Sequence, residues 1–522
     1  MNILGLHLGH DASVAVIKDN RLVSMVEKER LTRKKYDRGF SKEVMQNALK
    51  LAGLKYGDID YVGISICTGD SRKPKVIPED RTGLKITKNG EDYLNGPRQI
   101  VPWDCEDGIW VEWEGINKKA FQVQHHIAHI ASSHYLSPFE TSIGFSHDGS
   151  SIPENQMSLI CECDQKIKVA YTPHCNASYF YGKIAQVIFG DWRDSGKLMG
   201  LAAYGEPAIF KPSWICSNAD KMVTALDMLF NEQNYFANVI KDNQEVRQNL
   251  AASAQKWIEG EVGFMADSIK DKYGEVNVVM SGGGSLNVVA NRIMYDRFPL
   301  FIAPFPKDDG IAVGEALYIL HHIMGEPRET YTTKDICFLG NGKPWKDPDY
   351  KFLATELASE KVIFWHQERG EAGPRALTHR SIFASPFSMK MKKRVSEEIK
   401  NREWFRPLAP IVTAEKCSQY FDIEPCALTE MMLVNAKVLD DRIKAVTHVD
   451  GTARVQTVSK EFNPQVHRLL KEFEKITGVP VLINTSLNTK GEAICENDIH
   501  TMSTFYDSNA DICVINGLIE ST

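Results

Sequence analysis

The chain has 522 residues, 43% of them hydrophobic and 25% charged, with a formal charge of −7 and a pI near 6.1. Such a length asks for two or three domains, and the composition is that of an ordinary globular enzyme. It excludes a surface built throughout for nucleic acid, leaving room only for a local basic groove, and no run of 18 apolar residues is present to span a membrane. The eleven cysteines are scattered, without a C-x-x-C pair, as expected of reduced thiols in a cytoplasm.

The opening MNILGLHLGHD has no basic flank and reads as a first strand rather than a signal peptide. Residues 2–27 give three strands, NILGLHLG, SVAVIKD and RLVSMVE, with Asp19-Asn20 as a tight hairpin turn. A helix capped by Ser41 follows, then the strand YVGISI at 61–66.

The stretch QHHIAHIASSHYLSPF, 124–139, reads as a helix. His125 and His129 are four residues apart and leave the same face, which makes half of a metal site. Asp308 is a carboxylate that would complete it. The commoner fate of two histidines on an apolar helix is packing and hydrogen bonding in the core.

The first pattern then recurs. SIGFSHDGSS (142–151), MSLICEC, a turn at Asp164-Gln165 and KIKVAYT repeat the three-strand unit, and both versions carry a His-Asp pair after the first strand. Cys161 and Cys163 alternate along one of these strands and read as packing. Residues 1–70 and 140–175 thus suggest a duplicated actin-like architecture, with ATP in the cleft between the halves. VNVVMSGGGSLNVVANRIMYDRF (276–298) is a strand, a glycine turn and a helix. Gly282, Gly283 and Gly284 allow close backbone approach to a nucleotide, with Asn287 one turn into the helix. The pattern is neither a Rossmann fingerprint nor a P-loop, and GDWRDSGK (190–197) is not a P-loop either.

After the helix IAVGEALYILHHIMG, the polar run 326–335 marks a boundary between residues 1–335 and 336–522. The second part alternates helices, such as SMKMKKRVSEEIKN and NPQVHRLLKEFEKIT, with strands such as VPVLINTS. It also concentrates cations beside turns: Arg375 and Arg380, then Lys400, Arg402 and Arg406, then Arg454. Asn484, Thr485, Ser486 and Asn488 lie at a strand end. Guanidinium groups and neutral donors gathered at one place suit a doubly charged phosphate. For each arginine alone a surface ion pair is the bland alternative.

Several stretches carry a resemblance that covers nearly the whole chain: GHDAS (9–13), ERLTRKKYD (29–37), HHIAHIASSHYLSPF (125–139), GKLMGLAAYG (196–205), SGGGSLNVVAN (281–291), DDGIAVGEAL (308–317), GPRALTHRSI (373–382), NREWFRPLAP (401–410) and INTSLN (483–488). By these the chain resembles the NodU/CmcH family of O-carbamoyltransferases. The resemblance implies an actin-like N-terminal domain similar to threonylcarbamoyl-transfer proteins and a YrdC-like C-terminal domain. It implies that the latter turns carbamoyl phosphate and ATP into carbamoyl adenylate, and that the former passes the carbamoyl group to an acceptor hydroxyl. The metal ligands implied are His125, His129 and Asp308, for Fe2+ or else Zn2+ or Mn2+, with Mg2+ accompanying ATP. Arg375, Lys400, Arg406, Arg454, Ser486 and Asn488 would form the carbamoyl-phosphate pocket. His10, Lys35 and Asp148 would face the transfer site, His10 as a candidate base.

The chain departs from the family pattern at Thr378 and His379, where glycine and asparagine are usual, at Leu408 and Leu487, where phenylalanine is usual, and at Asn249. It is also shorter between 205 and 245. The acceptor is expected to be a sugar or natural-product hydroxyl, or the hydroxymethyl group of hydroxymethylcytosine in phage-type DNA, to which the basic runs RLTRKKY and KMKKR could be matched. A cytoplasmic homodimer is the expected form. The competing readings are threonylcarbamoyl transfer to tRNA and a nucleotide-binding scaffold without turnover.

Overall fold

A computed structural model describes residues 1–65, 83–88, 91–92, 105–151, 156–173, 175–208, 240 and 243–521. Most of the shortened stretch at 205–245, and the end of the strand expected at 61–66, lie outside the described residues.

The first sheet is built on β1 (Ile3–His7), β2 (Ser13–Lys18) and β3 (Arg21–Glu27), antiparallel neighbours in succession. Asp19 and Asn20 take φ of 50° and 68°, the left-handed pair that a two-residue hairpin needs. On the other side of β1 lie β4 (Tyr61–Ser65) and β8 (Ile116–Val123), each parallel to its neighbour. Beyond them run β7 (Cys105–Trp113), β5 (Lys85–Lys88) and β6 (Glu91–Asp92). The second sheet holds β9 (Ser142–Ser151), β10 (Gln156–Cys163), β11 (Ile167–Tyr171), β12 (Val278–Ser281) and β13 (Leu300–Ile302), in the order β11-β10-β9-β12-β13. Its pairings are antiparallel, antiparallel, parallel, parallel, the same as in β3-β2-β1-β4-β8. The two halves are therefore one topology used twice, the duplicated actin-like arrangement.

Two helices fill the space between these sheets. Ile311–Leu317 lies on β1, β2 and β4, and His125–His134 lies on β9 and β12. The helices also pack on each other, and Gly314 permits it: a Cβ there would stand 1.8 Å from the carbonyl oxygen of Ala128. Every residue of both helices is buried, and each large apolar side chain so placed contributes about 1.5–3 kcal/mol. Gln124 caps the histidine helix, accepting from the Ile127 amide at 2.9 Å. The short turn Asp308–Gly310 leads directly into the other helix. This layering brings Asp308 to the histidine face.

The third sheet comes from the rest of the chain. Its strands are β14 (Ile363–His366), β15 (Arg380–Ala384), β16 (Ala409–Thr413), β19 (Gln456–Val458), β20 (Val481–Ser486), β21 (Ile512–Ile515) and β22 (Leu518–Ser521), in the order β19-β16-β20-β15-β14-β21-β22. A separate pair is formed by β17 (Asn435–Lys437) and β18 (Thr452–Arg454). The change of sheet falls between residues 302 and 363, and one apolar core runs through it, from Phe305 and Tyr318 to Trp365 and Phe383.

Three local expectations change. Asn287 does not sit one turn into its helix. Gly283–Leu286 form a 3-10 turn, and Asn287 is the N-cap of Val288–Tyr295, accepting from the Ala290 amide at 3.1 Å. The helices expected at 388–401 and 311–325 pass from α into π geometry at Arg394–Ile399 and Tyr318–Ile323. Among the described residues no helix is long and apolar enough to cross a membrane, and Cys161, Cys163, Cys175, Cys337, Cys417, Cys426, Cys495 and Cys513 are unbridged.

Candidate active site

The four histidines of the 125–134 helix divide by face. His126 Nδ1 bonds the Ser146 hydroxyl at 2.9 Å, and His134 bonds the Ser142 hydroxyl and the Asp164 carbonyl at 2.8 Å each. These two take the ordinary core role. His125 and His129 instead point their Nε2 atoms at two carboxylates. His125 lies 3.0 Å from Asp148 and 3.6 Å from Asp308, and His129 lies 3.5 Å and 3.4 Å from the same pair. The four ligand atoms lie within 4.8 Å of one another. Asp148, expected only to face the site, is thus a member of the cluster.

Two imidazole nitrogens and two carboxylate oxygens suit a first-row divalent cation. The fit has a further sign: His129 is fully buried and turns its Nε2 to both carboxylates at once, 3.5 Å from Asp148 and 3.4 Å from Asp308. Without a cation the cluster balances its own charge. Burial opposes charge on Asp148, yet hydrogen bonds from His125 and His129 hold it well below the carboxylate range. Burial likewise lowers His129, but its bonds to Asp148 and Asp308 win and raise it to about 9. His10 completes the rim. Its Nε2 is 3.3 Å from Asp308 and its Nδ1 is 3.0 Å from Asp11. These carboxylates outweigh burial and raise His10 to about 9, so at neutral pH it carries a proton unless a cation draws the carboxylates away.

The glycine turn closes the far side. Gly283 donates its amide to Asp148 Oδ1 at 2.9 Å. A Cβ on Gly282 or Gly284 would stand 2.2 Å from the His147 carbonyl oxygen or 2.3 Å from the Ser178 hydroxyl. The close approaches that these glycines permit are made to the end of β9, which fixes Asp148. Asn287 exchanges amide bonds with Gln255 at 2.9 and 3.1 Å.

The cations of the third sheet gather at the ends of its strands. Lys400 is fully buried and donates to Asn488 Oδ1 and the Asn488 carbonyl, both at 2.8 Å, and to the Ser486 carbonyl. Arg402, named in the sequence but not assigned there, reaches the hydroxyls of Thr485 and Ser486 at 3.2 Å. Arg375, Arg406, Arg454 and Lys35 stand in the same field. Burial lowers Arg375 to about 10, assisted by Arg406 and Arg402, and lowers Lys35 to about 8, assisted by Arg402. Lys35 is exposed and stands within the electrostatic reach of Arg402, Arg406 and Lys307. Lys400, Arg402 and Arg454 are pushed well down, by burial first and neighbouring cations second. The Nε atoms of Arg375 and Arg454 are buried without partners. The carboxylate facing Arg406 is Glu403, at 3.7 Å, and it is shared with Lys197 and Lys490. Arg380 lies apart. It is consumed by the carbonyls of Gln367, Asn341 and Glu368 at 2.6–3.0 Å.

The loop after β3 joins the two clusters. Lys307, next to Asp308, pairs with Asp11 at 2.5 Å and Asp309 at 3.2 Å and lies 5.6 Å from the Tyr36 ring. Behind the loop, buried Arg30 donates to the Gly373 carbonyl at 2.6 Å, and Glu27 accepts the Gly373 amide at 2.6 Å. The segment that carries Arg375 is thereby tied to the segment that carries Lys35. Residue type could not single out Lys307, Tyr36 or Arg402; the KDDG run and the position of Tyr36 after Lys35 were the available signals.

The family model described as "Carbamoyltransferase N-terminus" matches residues 2–317, and "Carbamoyltransferase C-terminus" matches 354–521. The chain is 29% identical to 3'-hydroxymethylcephem-O-carbamoyltransferase of Amycolatopsis lactamdurans, covering 94% of each chain. It is 28% identical to nodulation protein NolNO of Sinorhizobium fredii, covering 98% of this chain and 78% of that one. Among solved structures, the activator of the 2-hydroxyisocaproyl-CoA dehydratase from Clostridium difficile, with bound ADPNP, matches at 14% identity and a TM-score of 0.33, covering 61% of this chain and 94% of that one.

Proposed function

Because the chain belongs to the carbamoyltransferase family, we propose that it is an ATP-dependent O-carbamoyltransferase that works in two places. The observation that carries this reading is the gathering of Lys35, Arg375, Lys400, Arg402, Arg406 and Arg454 with little opposing charge, Lys400 buried, the arginines half-buried and Lys35 exposed. Buried like charges are costly, and a bound phosphate relieves them. At an effective dielectric of about 20, each cation about 4 Å from a phosphate charge gains about 4 kcal/mol.

Carbamoyl phosphate is the phosphate of this reading. Its P–O–C linkage is opened by water to give phosphate and carbamate. The carbamate oxygen then attacks the α-phosphorus of ATP, pyrophosphate leaves, and carbamoyl adenylate results. The C-terminal part would hold these steps in the manner of a YrdC-like domain. Carbamate is short-lived in water, so the closeness of the two clusters matters. The Lys35–Tyr36–Lys307 bridge would offer a cationic passage, and the glycine turn with Asn287 would face the nucleotide.

His125, His129, Asp148 and Asp308 would hold a divalent cation, iron on the family pattern, which supplies Lewis acidity toward the carbamoyl carbonyl. His10 is placed to take the proton of the acceptor hydroxyl. Tyr36 and Lys307 line the path of the adenylate phosphate. The hydroxyl attacks the carbamoyl carbon, AMP leaves, and an O-carbamoyl ester remains. Unbridged cysteines in the described core fit a reducing cytoplasm, and a homodimer is the form that the resemblance implies.

The test is pyrophosphate release from ATP and carbamoyl phosphate with no acceptor present. Slow, carbamoyl-phosphate-dependent release is the expected result. Release that requires threonine and bicarbonate would indicate tRNA modification, and no release would indicate a scaffold.

A further inference from the structure

Among the described residues, Glu403 is the one carboxylate in ion-pair contact with any member of the cluster Lys35, Arg375, Lys400, Arg402, Arg406 and Arg454. Its two oxygens do different things. Oε1 is gripped by Lys197 at 3.1 Å and by Lys490 at 3.2 Å. Oε2 faces Arg406 Nη1 at 3.7 Å, beyond hydrogen-bond reach. Asp194 also lies in the field of Arg406, but it is bound to Lys197 at 2.8 Å. Burial opposes charge on Glu403, yet its own backbone amide, Lys197 and Lys490 hold its carboxyl down at about 2, so it is an anion at neutral pH.

The turn that carries both side chains has other supports. Arg406 donates its amide to the Glu403 carbonyl at 3.1 Å. Phe405 stacks on Phe189 with ring centres 6.1 Å apart, and Trp404 meets Tyr204 edge to face at 4.9 Å. A Cβ on Gly200 would stand 3.1 Å from Pro407, so the helix Ser195–Ala202 lies close against the turn. The Glu403 carboxylate is one support among several, and its charge has room for another duty. An arginine given to a phosphate can make paired, short, charge-assisted bonds, against which one contact at 3.7 Å competes weakly. Once Arg406 turns away, Lys197 and Lys490 still neutralise the carboxylate, so the exchange leaves no unpaired charge behind.

We propose that Glu403 is an internal counter-ion of the phosphate site, which pairs with Arg406 between turnovers and yields it to the incoming phosphate. Glu403 is thus a positioning residue that acts through Arg406, and its negative charge weakens phosphate binding enough for the product to leave. This rests on the reading of the cation cluster as the carbamoyl-phosphate site, and it adds the device that sets how tightly that site holds its anion. A merely structural ion pair and a counter-ion differ in sign. Loss of the first loosens the site, whereas loss of a competing anion tightens it.

Calorimetric titration of the full chain with inorganic phosphate decides between them. Glu403→Gln is expected to lower the phosphate Kd at least threefold. In turnover it is expected to lower the carbamoyl-phosphate KM by a similar factor, with kcat no higher than in the wild type. In an Arg406→Met background the same substitution is expected to change the Kd less than twofold, because the double-mutant cycle isolates the part that passes through Arg406. The thermal midpoint shows whether Glu403→Gln folds. Should it not, Glu403→Asp, which withdraws the carboxylate by one methylene, takes its place and lowers the Kd in the same direction. An unchanged or raised Kd in the folded variant, or a gain of threefold that persists without Arg406, overturns the assignment. Wild-type protein that binds no inorganic phosphate refutes the phosphate-site reading itself, which is a different failure.

Discussion

At the scale of single residues, position on one helix separates two chemistries. His126 and His134 share the sequence context of His125 and His129, yet they spend their nitrogens on hydroxyls and a carbonyl. The i, i+4 spacing was legible, because it follows from helix geometry alone. Asp148 was legible as part of a repeated His-Asp pair and, by resemblance, as facing the transfer site, but not as a member of the histidine cluster. Its place beside the histidines depends on how β9 ends over that helix, which no local periodicity encodes. Asp148→Asn is expected to lower the metal bound per chain at least tenfold by elemental analysis, whereas Asp164→Asn, at a hairpin turn, leaves it unchanged. Equal metal in both variants contradicts the four-donor site.

Lys35 gives a pH prediction. Burial and Arg402 lower it to about 8 from an ordinary 10.5. A lysine depressed in this way weakens the fold below about pH 8, where it is charged. That cost fades as pH rises from there toward 10.5. An anion bound beside it favours the charged form, so binding of inorganic phosphate at pH 9 is expected to take up a proton. Calorimetry in two buffers of different ionisation enthalpy measures this uptake, and Lys35→Met is expected to abolish it. Zero uptake in the unaltered protein contradicts the assignment of Lys35 to the cation cluster.

At the scale of elements, hairpins and caps were readable and backbone irregularities were not. Asp19-Asn20 and Ser41 act as their residue types dictate, Ser41 capping the Val44 amide at 3.4 Å. The π segments and the 3-10 turn before Asn287 arise from packing on neighbouring layers. The departure at 378 is instructive. Thr378 takes φ of +101°, where the resembling family carries glycine, and a branched side chain is strained there by about 1–3 kcal/mol. In return its hydroxyl accepts from Asn463 at 2.7 Å, a bond with a net contribution of about 1 kcal/mol. The strain outweighs the bond, and Asn463 keeps Gln367 at 3.3 Å. Thr378→Gly is therefore expected to stabilise the protein by about 1 kcal/mol in chemical denaturation. Destabilisation would mean that the Asn463 bond governs this turn.

At the scale of the whole molecule, the duplication is plain in strand order and faint in sequence. Two halves can share topology while their side chains answer to different neighbours. Which cations of the last 190 or so residues would meet was also hidden. Arg380 and Arg375 are five residues apart, yet one ties carbonyls and the other joins the cluster. The Glu27–Arg30–Gly373 junction explains why the two clusters keep their spacing: it fixes the loop between them from behind.

The account rests on separate duties for the two clusters, and phosphate release from carbamoyl phosphate separates them without any acceptor. His129→Ala, in the histidine and aspartate cluster, is expected to retain at least half of the wild-type release rate, while Arg406→Ala loses at least tenfold. Equal loss in both variants would contradict the division between a cationic site that opens carbamoyl phosphate and a metal-type site that delivers the carbamoyl group.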